Sequence, residues 1–454
     1  MLRNTFLFAL ILQSFSLFAQ SNPVPLVYQP LVPASIAPGH AALTLTVNGA
    51  GFSTNAIVRW NGSPRPTTFV SAAQLQAAIS TKDVATASTA LVTVQNPGVT
   101  PSNTVFFQIR QSSKTVTGVP QPSRGADLFA STTDLKGDGN ADVLLLQSGD
   151  CSDEIDGTLR EALGNGRGQF KLLPAQQFNW CAISNPIYGD FNGDGKPDFA
   201  ISSGFGFASD PEAFVNNGDG TFSMSDTIPT SFGGSNAFVM GGPADMNGDG
   251  KLDLLVAELS EQSFQVALGN GDGTFNASAP TVGIPSGGAS SVAIGDFNRD
   301  GRLDAAFIDH AGFIDIYLGD GHGSFQPGGS FQTSFGGTLI VTADVNGDGI
   351  LDLITDGVSV MLGNGDGTFT NGGGQKVAGN SFAYQALVAD FNGDGKLDLA
   401  IGSNPFWLLL GNGDGTFQNP LMFSGKGPFS GPAVADFNND GKLDLVDGEL
   451  FLQQ

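Results

Sequence analysis

Asp390-Phe391-Asn392-Gly393-Asp394-Gly395-Lys396-Leu397-Asp398 is the stretch whose reading decides the fold. Oxygen-bearing side chains stand at its first, third, fifth and ninth positions. Glycine at the sixth permits a positive φ and a sharp bend. Alternate positions of so tight a turn can converge on one centre. The seventh position then has only its backbone carbonyl to offer, which leaves its side chain free to vary. Three carboxylates held this close, if unpaired, repel one another.

The stretch recurs. The same nine-residue unit, or a near variant, begins at Asp134, Asp190, Asp245, Asp296, Asp344, Asp390 and Asp436. Successive spacings are 56, 55, 51, 48, 46 and 46 residues. A second unit, Gly-Asn-Gly-Asp-Gly-Thr-Phe or similar, begins at Gly164, Asn216, Gly269, Gly319, Gly363 and Gly411. Short apolar runs such as Val292-Ala293-Ile294 and Trp407-Leu408-Leu409-Leu410 lie between the units. Self-similarity at this period marks a propeller or solenoid. Each repeat predicts four strands: A ends in the Asp loop, B follows it, C precedes the Gly-Asn-Gly turn and D follows that turn. Such units are too small to bury their own faces and must stack on neighbours.

The paired motifs resemble FG-GAP/VCBS repeats, the propeller type of integrin α-subunit heads, over about 340 residues of the chain. The resemblance implies an all-β, seven-bladed β-propeller spanning residues 113–454. Seven Asp loops face only six turns, and Phe451-Leu452-Gln453-Gln454 aligns with a strand C. The stretch 113–120, which contains Lys114-Thr115-Val116-Thr117-Gly118-Val119, is therefore expected to supply the missing outer strand and close the ring.

Calcium takes six to eight hard oxygen ligands. Six loops carry a full set: Asp190, Asn192, Asp194, Lys196, Asp198; Asp245, Asn247, Asp249, Lys251, Asp253; Asp296, Asn298, Asp300, Arg302, Asp304; Asp344, Asn346, Asp348, Ile350, Asp352; Asp390, Asn392, Asp394, Lys396, Asp398; and Asp436, Asn438, Asp440, Lys442, Asp444. The seventh-position residue of each set enters by its carbonyl. The first loop keeps Asp134, Asp138 and Asp142 but has Lys136 at the third position, an ammonium in place of an oxygen ligand. The expectation is about six calcium ions, with the seventh site weak or absent. Seven divalent ions would move the formal charge from −24 to −10. The plain alternative is an ion-free, solvated Asp-Gly turn. Zinc and iron are excluded by the all-oxygen donor set, with only three histidines in the chain. Magnesium is disfavoured by the carboxylate count. The Gly-Asn-Gly turns read as tight hairpins.

Acids outnumber bases 43 to 19, which argues against nucleic acid and against an anionic membrane surface. Residues 1–20 read as a signal peptide: Arg3, then the apolar run Phe6–Leu12, then the small residue Ala19. A membrane anchor is the alternative, although Gln13 and Ser14 interrupt a run already short for spanning. No later transmembrane segment is expected. The expected destination is secretion, the cell surface or the periplasm. Cys151 and Cys181 are either a disulfide or two unrelated buried thiols.

Residues 22–111 carry almost no Asp and alternate as a small β-sandwich of the immunoglobulin-like kind, as in Leu43-Thr44-Leu45-Thr46-Val47 and Leu91-Val92-Thr93-Val94-Gln95. V-N-G-A-G-F (47–52), V-R-W-N-G (58–62) and V-T-V-Q-N-P (92–97) resemble the IPT/TIG domain, with Trp60 expected as a core or edge aromatic. Lacking Asp loops, this unit is expected to melt separately from the repeats and to ignore a chelator.

A propeller would place Asp loops and Gly-Asn-Gly turns on one face and the variable loops on the other. The variable face would carry the insertion 149–157 with Cys151, Asp153, Glu154 and Asp156, and Phe178, Trp180, Phe205, Phe207, Phe232, His310, Phe335, Tyr384, Phe406 and Trp407. Binding residues concentrate on such loops; capping the cores between blades is the plainer reading of each aromatic. No G-x-S-x-G, H-E-x-x-H or C-x-x-C occurs, and no catalytic residue is assigned. The functional expectation is an interaction module for protein or glycan. The alternatives are a calcium-dependent, lyase-like polysaccharide-active enzyme and a purely structural envelope protein.

Overall fold

The computed structural model describes residues 22–453 except 113–117, 122–128, 137–139, 148–156, 179–185, 203–210, 231, 233–237, 259–261, 278–280, 286–287, 335–337, 376–384, 403–405, 424–432 and 448. Among the described residues all regular structure is β, and no helix is long and apolar enough to cross a membrane.

Residues 22–111 form two sheets over one core. Leu26–Val27, Leu43–Ala50, Gln74–Ile79 and Thr67–Ser71 make the first sheet. Ser35–Ile36, Val105–Ile109, Ser88–Gln95, Ile57–Trp60 and Ser63–Pro64 make the second. Strand alternation accounts for the core: Leu75, Ala77 and Ile79 point inward while Gln76 and Ala78 face out. Trp60 is buried against Phe107 with ring centroids 5.1 Å apart, a core aromatic with no exposed platform.

Among the described residues after 111 there are seven antiparallel sheets, one for each Asp loop. In the fourth, strands A to D are Ser291–Gly295, Asp304–Ile308, Phe313–Gly319 and Phe325–Gln332. The Asp loop joins A to B, and its ninth residue is the first residue of B in all seven repeats. Strand B is buried along its length, as in Asp253–Glu258, Asp304–Ile308 and Asp398–Gly402. Strand D is mostly exposed, as in Phe325–Gln332 and Phe369–Gly374. Both faces of each inner strand therefore meet neighbouring sheets, and the outer strands meet solvent. Between repeats 3 and 4, Phe264 packs on Phe307 and Tyr317 with centroids 4.5 and 4.9 Å away. Such aromatic pairs add about 0.5–1.5 kcal/mol beyond burial alone.

The A strands of repeats 2 to 6 neighbour one another in chain order, and that of repeat 7, Ala433–Ala435, neighbours that of repeat 1, Phe129–Thr133. The last sheet takes its outer strand from far away. Gly118–Gln121 pairs antiparallel with Glu449–Gln453, Gly118 opposite Gln453 and Gln121 opposite Leu450. Of the stretch 113–120 expected in this role, 113–117 lie outside the described residues.

The N-terminal unit is docked on the Asp-loop end of the repeats, contrary to the separable neighbour the sequence suggests. Leu26, Tyr28 and Ala50 pack into the cluster of repeats 3 and 4. Strand Val105–Ile109 has both of its faces in use. Val105, Phe107 and Ile109 belong to the unit's own core, whereas Phe106 packs on repeats 6, 7 and 1.

Candidate functional site

The Asp loops of repeats 2 to 7 share one bonding pattern. The first Asp accepts the N–H of position 5 on Oδ1 at 2.9–3.1 Å and the N–H of position 6 on Oδ2 at 2.8–2.9 Å. The Asn at position 3 accepts the same position-5 N–H at 2.8–2.9 Å. The Asp at position 5 accepts the N–H of position 7 at 2.9–3.0 Å. The oxygens of positions 1, 3 and 5 thus turn inward around the loop. Two left-handed residues make this curl, and the sequence flagged only one of them. Position 6 is always glycine, with φ of 83–87°. Position 4 is also left-handed, at Gly393 (φ 72°) but equally at Arg299 (φ 59°) and Asn439 (φ 57°). Arginine there accepts a cost of about 1–2 kcal/mol.

Position 9 works differently from the other three. Its Oδ2 accepts the N–H of position 2 in all seven repeats, at 2.8–3.0 Å. Its Oδ1 accepts the N–H of the first turn residue in repeats 1 to 6, at 2.7–2.9 Å. These carboxylates are buried. Desolvation by that burial, ahead of the backbone donors that oppose it, pushes Asp198 up to about 6, Asp304 and Asp352 to about 7, and Asp253 and Asp398 to about 8. The ninth Asp is a staple that fixes the loop to the turn of the same repeat.

The position-7 side chain has a use the sequence did not show. A Cβ added to the turn glycines 218, 271, 321 or 413 would come within 2.6–3.3 Å of the stems of Lys196, Lys251, Arg302 and Lys396. The turn Asp residues bond within their own turns: Asp219, Asp272, Asp366 and Asp414 accept a threonine hydroxyl at 2.5–2.6 Å. That bond is the main reason their carboxyls sit below the usual range.

The donor set of each loop suits a hard divalent cation. Positions 1, 3 and 5 supply oxygen only, they converge, and a carboxylate oxygen that accepts one N–H keeps a further lone pair. Burial raises the carboxyl of the first Asp in every one of these loops, to about 6 at Asp296. Among the described residues no group of three or more His, Cys, Asp or Glu side chains is arranged to hold an ion. The ninth carboxylate of each loop accepts backbone N–H groups, as at Asp198 and Asp253. In the first loop Lys136 is exposed, Asp142 keeps its staple, and Asp138 lies outside the described residues.

The N-terminal unit reaches into five of these loops. Val24 N–H donates to Asp245 Oδ2 at 2.9 Å, and the Tyr28 hydroxyl accepts the Asp296 N–H at 2.9 Å. The Gln29 carbonyl accepts the Asp344 N–H at 3.1 Å. Gln108 bonds the Asp390 carbonyl, Arg110 bonds the Phe391 carbonyl, and the backbone at Ser88 lies against Gly441 of the loop that begins at Asp436. Asp245, Asp296, Asp344, Asp390 and Asp436 are consequently 5–8% exposed, whereas Asp190 and Asp134 are only half-buried.

On the variable side, Phe178 packs edge-on against Phe214 at 5.3 Å, Phe232 lies on Phe238 at 5.9 Å and Phe406 on Phe423 at 5.9 Å. These three cap cores; Trp407 is half-buried and His310 is exposed. Trp180, Phe205, Phe207, Phe335, Tyr384, both cysteines and Asp153, Glu154 and Asp156 lie outside the described residues.

The FG-GAP-like repeat family matches residues 134–201, 190–256, 245–307, 354–401 and 399–446, more than half of the chain. No curated protein matches it. Solved structures that resemble it include an auxiliary nutrient binding protein from Bacteroides ovatus, at 11% identity and TM-score 0.38, covering 95% of this chain and 98% of that one. The periplasmic gluconolactonase of Pseudomonas aeruginosa resembles it at 12% identity and TM-score 0.48, covering 79% of this chain and 95% of that one. A functionally unknown protein from Desulfotomaculum acetoxidans does so at 12% and 0.45, covering 74% and 96%. Likenesses this distant carry no functional assignment.

Proposed function

The chain belongs to the FG-GAP-like repeat family, and from that premise we propose that it is an exported, calcium-binding seven-bladed β-propeller that presents its variable loops to a protein or glycan ligand. The seven sheets, the contact between the first and last inner strands, and the outer strand supplied by Gly118–Gln121 support the closed ring. The two-sheet N-terminal unit supports the immunoglobulin-like, IPT/TIG-type reading of residues 22–111. Calcium rests on the inward oxygens of positions 1, 3 and 5, repeated in six loops.

One observation carries the choice of face. The N-terminal unit covers the Asp-loop end of repeats 3 to 7, so a macromolecule meets the chain at the opposite end, where repeats differ most in sequence. The test is a screen of the purified chain against glycan arrays and soluble polysaccharides, with calcium and with chelator. Calcium-dependent binding without turnover is the expected result. Release of unsaturated oligosaccharides would replace the interaction module with a lyase, and no binding in either condition would leave a structural envelope role.

A further inference from the structure

Neighbouring repeats are joined at the Asp-loop end by one recurrent bond. The fifth residue of the Gly-Asn-Gly turn donates its N–H to the position-2 carbonyl of the preceding repeat's Asp loop in five of the six turns, the exception being Gly220 of repeat 2. Gly273 donates to Phe191, Gly323 to Met246, Gly367 to Phe297 and Gly415 to Val345, at 3.0–3.3 Å. Gly168 of repeat 1 donates to Phe437 of repeat 7 at 2.8 Å, so the pattern passes through the chain ends. A second contact accompanies it. The turn phenylalanine meets the position-2 phenylalanine edge-on at 5.4 Å (Phe275 on Phe191), 5.6 Å (Phe369 on Phe297) and 5.3 Å (Phe170 on Phe437).

The seam between repeats 6 and 7 cannot be made this way. The outer strand of the last sheet is Gly118–Gln121, so it is not joined to Glu449–Gln453 by a hairpin turn of the kind whose fifth residue donates at the other seams. The N-terminal unit stands there instead. Arg110 Nη1 donates to the Phe391 carbonyl at 3.0 Å, and Arg110 is buried. Its stem lies where a Cβ on Gly393 would come within 2.8 Å. Phe106, on the same face of the strand two pleats away, joins the cluster of Phe391, where other seams place a turn phenylalanine. Gln108, between them, bonds the Asp390 carbonyl. The backbone at Ser88 comes within 2.6 Å of a Cβ built on Gly441, so the repeat 7 loop is seated closely too.

We propose that the N-terminal unit is the clasp of the ring: Phe106 and Arg110 take the place of the turn that the seventh repeat lacks and hold repeats 6 and 7 together. The clasp does not require any ion in the loops. A buried hydrogen bond from a charged donor is among the stronger kind.

Hydrogen–deuterium exchange on the full chain tests this with Arg110→Ala and, as a milder change that keeps the charge but not the planar fork, Arg110→Lys. In Arg110→Ala, amides of 390–398 and 436–444 should exchange about 10- to 100-fold faster, the equivalent of losing one charged hydrogen bond. Amides of 190–198, in a loop that the N-terminal unit does not reach, should not change. Unchanged exchange at 390–398 would overturn the proposal. So would equal acceleration at every seam, because that is general destabilisation. Should Arg110→Ala fail to fold, Arg110→Lys is read by the same comparison. If the ring itself were open, wild-type amides of 166–168 and 436–439 would already exchange freely, which separates failure of the closed-ring reading from failure of the clasp.

Discussion

Repeats 2 and 3 carry nearly the same nine-residue loop, yet their first carboxylates live in different surroundings. Asp190 is half-buried, while Asp245 is buried and accepts a hydrogen bond from Val24. The same contrast separates repeats 1 and 2 from repeats 3 to 7 as groups. The repeat sequence builds the loop, and a separate unit decides how far solvent and ions can reach it. Four perturbations either break this division or sharpen it.

Chelation has the largest expected effect. A ligand that binds only the folded state stabilises by about 2.7 kcal/mol per site at hundredfold excess. Six such sites have an upper limit of about 16 kcal/mol, as large as the whole stability of a typical domain. The N-terminal unit touches five of the loops, so chelator should lower its melting together with that of the repeats. This replaces the sequence-based expectation of an indifferent N-terminal transition. Ion release followed over time should also show a fast phase from the open loop of repeat 2 and a slower, larger phase from repeats 3 to 7. A single phase would end the distinction between open and covered loops, and a melting curve unmoved by chelator would remove structural ions altogether.

Next in size is the staple. Asp253→Ala leaves two buried N–H groups, of Met246 and Gly269, without their acceptor. At roughly 1–3 kcal/mol for each unsatisfied donor, the loss is about 2–6 kcal/mol. Asp198→Ala, in the open repeat 2, strips Phe191 and Asn216 in the same way and should cost as much. Denaturant titration of both variants measures the two costs. A large loss at Asp253 beside a small one at Asp198 would mean that the cover, and not the repeat, holds the loops in shape.

Glu161 sharpens the contrast at the open sector. It lies on strand C of repeat 1, three residues before the turn, where later repeats carry Ala213, Val266, Ile316, Val360 and Leu408. It is buried, and its Oε1 has no hydrogen-bond partner. Desolvation, then the charges of Asp142 and Asp219, raise its carboxyl to about 7 from 4.5. Below pH 4.5 the group is neutral folded or unfolded. As pH rises to 7 the unfolded chain ionises first, so the native state loses stability, up to about 3 kcal/mol at about 1.4 kcal/mol per pKa unit. Glu161→Gln should therefore stabilise the chain at pH 8 and leave it nearly unchanged at pH 4.5, as read from melting temperatures at the two values. A pH-independent difference would assign the effect to packing.

Much of this was legible before any coordinates. Period gave the repeats, and alternation gave the inward faces of Gln74–Ile79. Other features were not. The backbone bonds of position 9 are invisible in the sequence, because only the register of strand B against the turn brings the two amides to that carboxylate. Position 4 hid its left-handed backbone behind Arg299 and Asn439. The docking of the N-terminal unit did leave a trace in Val105–Ile109. Phe106, Gln108 and Arg110 alternate with core residues on what should be a solvent face, yet a strand at the surface and a strand at an interface share that pattern until the partner is known.

The smallest expected effect tests the loop chemistry most directly. Lys136 is the one third-position residue that is not Asn, and it lies in the open sector, exposed, with its backbone N–H 3.3 Å from Asp142 Oδ2. Lys136→Asn removes an ammonium and supplies an amide oxygen, which makes the loop match its six relatives at the ligand positions. The stability change without calcium should be small, within about 0.5 kcal/mol, as for most surface substitutions. The number of ions retained in native mass spectrometry should rise from six to seven, because the added oxygen completes the convergent set. The new ion should leave in the fast phase along with that of repeat 2, since Asp134 and Asp190 are both only half-buried. Seven ions in the wild-type chain would show that position 3 is dispensable. Six in Lys136→Asn would place the fault of the first loop elsewhere in its sequence, at Leu135 or Ala141, where the matching loops carry other residues.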